Sequence, residues 1–217
     1  MNTSTTRSGQ RQGSSGLFET WYTLTPQGVL YAFGSPEPDA QQKALQALLR
    51  NEQAVSKSEW GRSNLENANL QQAQERQWVQ LMSSAVSGPD TRLSDFIRHV
   101  IAPLSGQRQA VLASDSGFCL DRVGVEQDEA EAVSAAAADF SEYAKRQSRR
   151  GWQGANRYVS FYDDPHLLLP SWSFVPIWVD GAGYWLAIAG EPLLNSLALV
   201  ELVWGICLAG NRFAADF

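Results

Sequence analysis

Reactive side chains are scarce in this chain. It carries two cysteines, Cys119 and Cys207, and two histidines, His99 and His166. The cysteines sit in apolar stretches without the spacing of a metal site, so they read as small buried hydrophobes in a reducing compartment rather than as a disulfide. There is no Cys-x-x-Cys pair, no His-Glu-x-x-His helix and no Gly-x-x-x-x-Gly-Lys-Ser/Thr loop. Their absence removes the zinc sites and the phosphate-binding loop that those patterns build. Positive charge is in deficit: 17 Lys and Arg against 23 Asp and Glu leave a net charge of −6, so the surface as a whole does not attract nucleic acid. A long apolar run is missing too. The stretch from Leu193 to Ala209 is broken by Asn195, Glu201 and Gly205 and falls short of the roughly twenty residues of a membrane span. The opening MNTSTTRSGQRQGSSG, residues 1–16, lacks the apolar centre of a signal peptide and reads as a disordered arm. Together these absences predict a cytoplasmic protein with no metal, no cofactor, no membrane segment and no nucleic-acid partner.

What is present is ordinary globular chemistry, 44% hydrophobic and 18% charged over 217 residues, enough for one large or two small cores. From 17 to 86 the chain reads as an N-terminal extension. LFETWYTLTPQGVLYAFGS has the outline of a hairpin turning at Pro26-Gln27-Gly28. Asp39 is placed to cap a helix with Ala44, Leu45, Leu48 and Leu49 inward. Asn51 to Arg62 shows little pattern. Asn64 to Val86 has a Gln-rich helical character, with Leu70, Ala73, Val79 and Met82 as inward positions, and SGPD at 87–90 is the candidate boundary.

Beyond residue 91 the pattern sharpens. Leu93, Phe96, Ile97, Val100, Ile101 and Leu104 share one helical face. VLASDSGFCLDRVG, 111–124, reads as two strands around a polar turn, with Gly117 free to take the positive φ that a tight reversal needs. Asp128 then opens a helix with Ala130, Val133, Ala137, Phe140 and Ala144 inward, ending in Lys145, Arg146, Arg149 and Arg150, where cations suit the helix dipole. Arg157 to Tyr162 is a strand, and Trp172 to Val179 and Tyr184 to Ala189 flank the hairpin signal Asp180-Gly181. The order helix, two strands, helix, three strands, helix gives an α+β fold: an antiparallel five-stranded sheet with flanking helices, plus the N-terminal hairpin-helix extension.

AVLASDSGFCLDRVG with its Ala-rich helix, and GAGYWLAIAGEPLLNSLALVELVWGICLAG at the end, resemble the roadblock/dynein light-chain family, whose fold is close to the longin and profilin-like folds. The resemblance covers about 91 to 213 and defines a roadblock-like domain at 91–217; the loops at 150–156 and 163–171 depart from it. It implies a non-enzymatic regulatory or scaffolding protein. Such domains form dimers through the helix after the first hairpin and a neighbouring strand, and some bacterial members act with small Ras-like GTPases. Carried onto this chain, it implies a homodimer face at Ala132, Ala135, Ala136, Asp139 and Tyr143, where small side chains let a second helix approach. A small GTPase is then the candidate outside partner, and Arg149, Arg150, Trp178 and Trp185 are the candidate partner surface.

Three rivals stand beside this reading. A small-molecule sensor requires an internal pocket lined by Trp172, Phe174 and Trp185. An enzyme would use Asp163, Asp164 and His166, although no nucleophile stands near them in the sequence. Nucleic-acid binding would rely on Lys145 to Arg150. The turn residues Ser114, Asp115 and Ser116 are explained by chain reversal, because short polar side chains bond the local backbone.

Overall fold

Thr25 decides the direction of the N-terminal segment. It follows strand β1 (Trp21–Leu24) in extended conformation, and its hydroxyl oxygen accepts the Gly28 N–H at 3.0 Å. Pro26 then takes the first helical position, where a missing N–H costs nothing. The result is helix α1 (Pro26–Ala32), so the hairpin expected at Pro26-Gln27-Gly28 is corrected: those residues start a helix. The structure is a computed structural model that describes residues 19–60, 70–90, 92–152 and 157–209. The arm at 1–16 lies outside the described residues.

Asp39 caps α2 (Ala40–Gln46) as expected, in a reciprocal capping box with Gln42, and a 3-10 turn at Ala47–Leu49 continues it. Then come β2 (Val55–Ser56), α3 (Lys57–Trp60), α4 (Leu70–Glu75) and β3 (Val79–Met82). β1 is the middle strand of a three-stranded sheet, antiparallel to both β2 and β3. The Gln-rich helix expected over Asn64 to Val86 is therefore helical only from Leu70 to Glu75 among the described residues. Gln77 turns the chain with φ 57°, and Val79–Met82 pair with β1 instead. Sheet pairing outweighs local helix preference there.

The second half matches its expected order. Helix α5 (Leu93–Ile101) runs into a 3-10 turn at Ala102–Leu104 and is followed by β4 (Ala110–Ser114) and β5 (Cys119–Val123). Helix α6 (Gln127–Ser148), β6 (Val159–Phe161), β7 (Trp172–Val179), β8 (Ala182–Ala189) and α7 (Leu197–Ala209) complete the chain. The α6 cap falls on Glu126, with Asp128 and Glu129 in the first turn rather than Asp128 at the cap. The five strands form one antiparallel sheet in the order β5-β4-β8-β7-β6, the α+β arrangement read from the sequence. Asp180 and Gly181, at φ 52° and 83°, make the β7–β8 turn.

Both faces of this sheet are covered, which is why its central strands read as apolar runs rather than as alternation. Ala110, Leu112, Val175, Ile177, Leu186 and Ile188 point to one core, shared with α5, α7 and the N-terminal elements. Val111, Ala113, Phe174, Trp185 and Ala187 point to the other, under α6. The N-terminal elements are tied down by polar bonds as well. The Trp204 indole N–H donates to Asn51 O at 2.8 Å, the Trp178 N–H to Phe33 O at 2.8 Å, and the Arg50 guanidinium grips Asp180.

Candidate interaction face

Helix α6 lies on the sheet through Ala130, Val133, Ser134, Ala137, Ser141 and Ala144, all buried. Two serines in that row were not expected. Ser134 donates back to Ala130 O at 2.7 Å, and Ser141 Oγ accepts the Trp185 indole N–H at 2.7 Å in the buried layer. One flank of the helix turns toward the hairpin tip. Gly117 comes so close that a Cβ there would sit 3.1 Å from Ala138 Cβ and 3.6 Å from Ala135 Cα. Alanine at 135 and 138 thus makes room for the protein's own β4–β5 turn.

The opposite flank turns toward β6. Phe140 stacks on Phe161 with centroids 5.6 Å apart and meets Phe174 edge-on at 4.9 Å. Ala132, Ala136, Asp139 and Tyr143 follow one another at helical spacing on the outer side of α6, away from its buried row. Ala132, Asp139 and Tyr143 are exposed, and Ala136 is half-buried. Tyr143 packs edge-on against Trp152 at 6.1 Å, beyond the helix end. Tyr143, Trp152 and Phe161 leave a belt of aromatic surface in solvent on this side of the sheet; Tyr158, also exposed, faces the other side, where its hydroxyl donates to Ser173 Oγ at 2.8 Å.

β6 borders this belt and ends the sheet; among the described residues no strand pairs with its outer side. Such an edge offers unpaired N–H and C=O groups to another strand. Proline explains why β6 is short. On β7, Phe174 pairs with Val159, and Trp178, four residues on and of the same parity, gives its N–H to Phe33 O. Between them stands Pro176, which has no N–H to give, and among the described residues no strand pairs there. The gap is an apolar pocket of about 320 Å³ between Leu30 and Gly34 of the α1 region, Arg157 and Tyr158 at the start of β6, the floor of Val175 and Pro176, and Leu194.

Of the face expected at Ala132, Ala135, Ala136, Asp139 and Tyr143, Ala135 thus lies toward the hairpin tip, and the other four form a row on the outer side of α6. Arg149 and Arg150 are exposed at the C-terminal end of α6. The positive field there is visible in Glu142: its hydrogen bond and charge attraction to Lys145, 3.0 Å away, with Arg146 and Arg149 nearby, hold its carboxyl below the usual range. Trp178 and Trp185 are a correction. Both are buried, Trp185 with 1% of its surface exposed, so neither is available to a partner. Trp185 is consumed by α6 packing, and Trp178 lies over Gly183 on the neighbouring strand. What sequence reasoning missed is the aromatic set Trp152, Tyr158 and Phe161, since a lone aromatic in a loop or short strand gives no sign of being uncovered.

The other candidates have local explanations. The Asp164 carboxylate accepts the backbone N–H of His166 at 2.9 Å and of Leu168 at 3.3 Å, and Asp163 accepts from the Ser171 hydroxyl at 2.7 Å, so both carboxylates shape their own loop. Ser114 Oγ accepts the Phe118 N–H at 3.1 Å and Gly117 has φ 89°, the chain reversal expected. Phe174 and Trp185 are packed within the core under α6, with Trp172 and Phe140 against them, so the place required for a sensor pocket is filled. Burial raises the Cys119 thiol and pushes that of Cys207 up to about 12, and both are free. Among the described residues no cluster of His, Cys, Asp and Glu could hold a metal ion, and no helix is long and apolar enough to cross a membrane.

No family model and no curated protein sequence matches the chain. The structure is similar to the crystal structure of the Roadblock/LC7 domain from Streptomyces avermitilis, with a TM-score of 0.37 and 17% identity, over 58% of this chain and 100% of that one.

Proposed function

We propose that this chain is a non-enzymatic protein-interaction module that works as a homodimer, two copies meeting through the β6 edge and the adjoining flank of α6. The observation that carries this reading is the aromatic belt of Tyr143, Trp152 and Phe161, exposed beside a strand edge that no strand pairs among the described residues. Aromatic anchors are what a buried interface centre uses.

Charge supports the same geometry. A twofold axis pairs α6 with its copy in antiparallel sense, which brings the acidic start of the helix, with Asp128 and Glu129, toward Lys145, Arg146, Arg149 and Arg150 of the other copy. The resemblance to the roadblock family makes a small Ras-like GTPase the candidate outside partner, a binding role rather than a catalytic one. The experiment is sedimentation of the native protein beside Ala132→Arg and Tyr143→Arg, both exposed positions whose variants should fold normally. The expected result is a native dimer weakened by ~10-fold or more in each variant. A native monomer contradicts the reading, as does a dimer indifferent to both changes.

A further inference from the structure

The loop between β6 and β7 is built to hold leucines in water. Leu167, Leu168 and Leu169 are 65%, 76% and 58% exposed, three in succession. Leu167 adopts φ 55°, a conformation that disfavours a branched aliphatic residue. The loop is nevertheless well bonded: Asp164 accepts two of its backbone N–H groups, the Leu167 N–H donates to Asp164 O, and Asp163 and Ser171 close its base. A hydrogen-bonded loop that presents its apolar side chains outward has an apolar receptor.

We infer that, in the dimer, the Leu167–Leu169 loop of each copy seats in the apolar pocket between Leu30, Pro176 and Leu194 of the other. This inference rests on the dimer reading above. Two β6 edges related by a twofold axis pair antiparallel, so the residues after β6 in one copy lie beside the residues before β6 in the other. With the axis at Ser160, Asp163 falls opposite the other copy's Arg157, three positions from the axis on either side. Arg157 stands at the rim of the pocket, and Asp163 and Asp164 open the leucine loop, so the charges complement as well. The same two carboxylates oppose docking on an anionic lipid surface.

The test measures dimer affinity by sedimentation for the native chain, Leu168→Asp, Leu30→Asp, and Leu81→Asp as an exposed control on β3. The first two should weaken the dimer by ~10-fold or more while the control does not. A benzophenone side chain in place of Leu168 should cross-link to peptides carrying Leu30, Pro176 or Leu194 of the other copy, distinguished by isotope labelling. A dimer of native affinity in Leu168→Asp and Leu30→Asp, with cross-links elsewhere, overturns the loop assignment and leaves the dimer standing. A monomeric native chain overturns both. Co-sedimentation of the native protein with phosphatidylserine vesicles, lost in Leu168→Asp at unchanged dimer affinity, overturns it in favour of a membrane.

Discussion

Two buried side chains in this protein, Trp185 and Ser141, are held by a polar bond between them. The Trp185 indole N–H donates to the Ser141 hydroxyl in the buried layer under α6. Ser141→Ala leaves the indole donor unpaired, which costs about 1–3 kcal/mol and shows as a lower urea midpoint at unchanged slope. That pair was invisible in the sequence, because a serine in an alanine-rich helix reads as surface until its partner is known. Cys207 gives a second prediction. Below about pH 9 its thiol is protonated in both states; above that the unfolded chain releases a proton that the folded chain, with its thiol near 12, retains. Stability therefore falls as pH rises from about 9 toward 12, and buried Tyr22 and Tyr184, raised in the same direction, add to the fall. Urea titrations at about pH 8 and about pH 10 check the sign, and Cys207→Ala should flatten the slope.

Elements depend on close approaches that only small residues allow. Helices α5 and α7 cross where a Cβ on Gly205 would sit 2.0 Å from the Phe96 ring. Gly205→Ala gains up to about 1 kcal/mol of helix preference. Overpacking costs about 1–3 kcal/mol, so the net effect is destabilising. Phe96→Leu in the same chain should restore part of the thermal midpoint. Elements with strong local signals were legible: the three-and-four spacing of α5, the Asp180-Gly181 hairpin and the Asp39 cap all fall where the sequence places them. Thr25-Pro26 was misread because a Pro-Gln-Gly run is equally a turn and a capped helix start, and only the Thr25–Gly28 bond separates them. β3 was misread because its partner, β1, lies more than fifty residues away in sequence.

At the scale of the whole molecule, two covered faces leave the edges of the five-stranded sheet, β5 and β6, without a pairing strand among the described residues, and Tyr143, Trp152 and Phe161 stand exposed on the β6 side. Sequence patterning carried the strands of the sheet and the inward rows of α5 and α6; it did not carry the covering of both sheet faces, because a strand buried on both faces is an unbroken apolar run. It carried only part of the candidate face: Ala132, Ala135, Ala136, Asp139 and Tyr143 come from α6, while Phe161 and Trp152 join them only once Phe161 sits against Phe140 and Trp152 against Tyr143. Tryptophans 178 and 185 illustrate the converse, since a large aromatic in a strand has the same sequence signature whether it meets solvent or a helix. The most direct measurement is hydrogen exchange of those β6 amides that point away from β7, at protein concentrations well above and well below the dimer transition. Pairing of two edges predicts slow exchange at high concentration that is lost on dilution, while β4 and β8 stay protected throughout. Exchange at β6 that is equally fast at both concentrations, in a protein whose mass is that of a dimer, contradicts the edge-to-edge account.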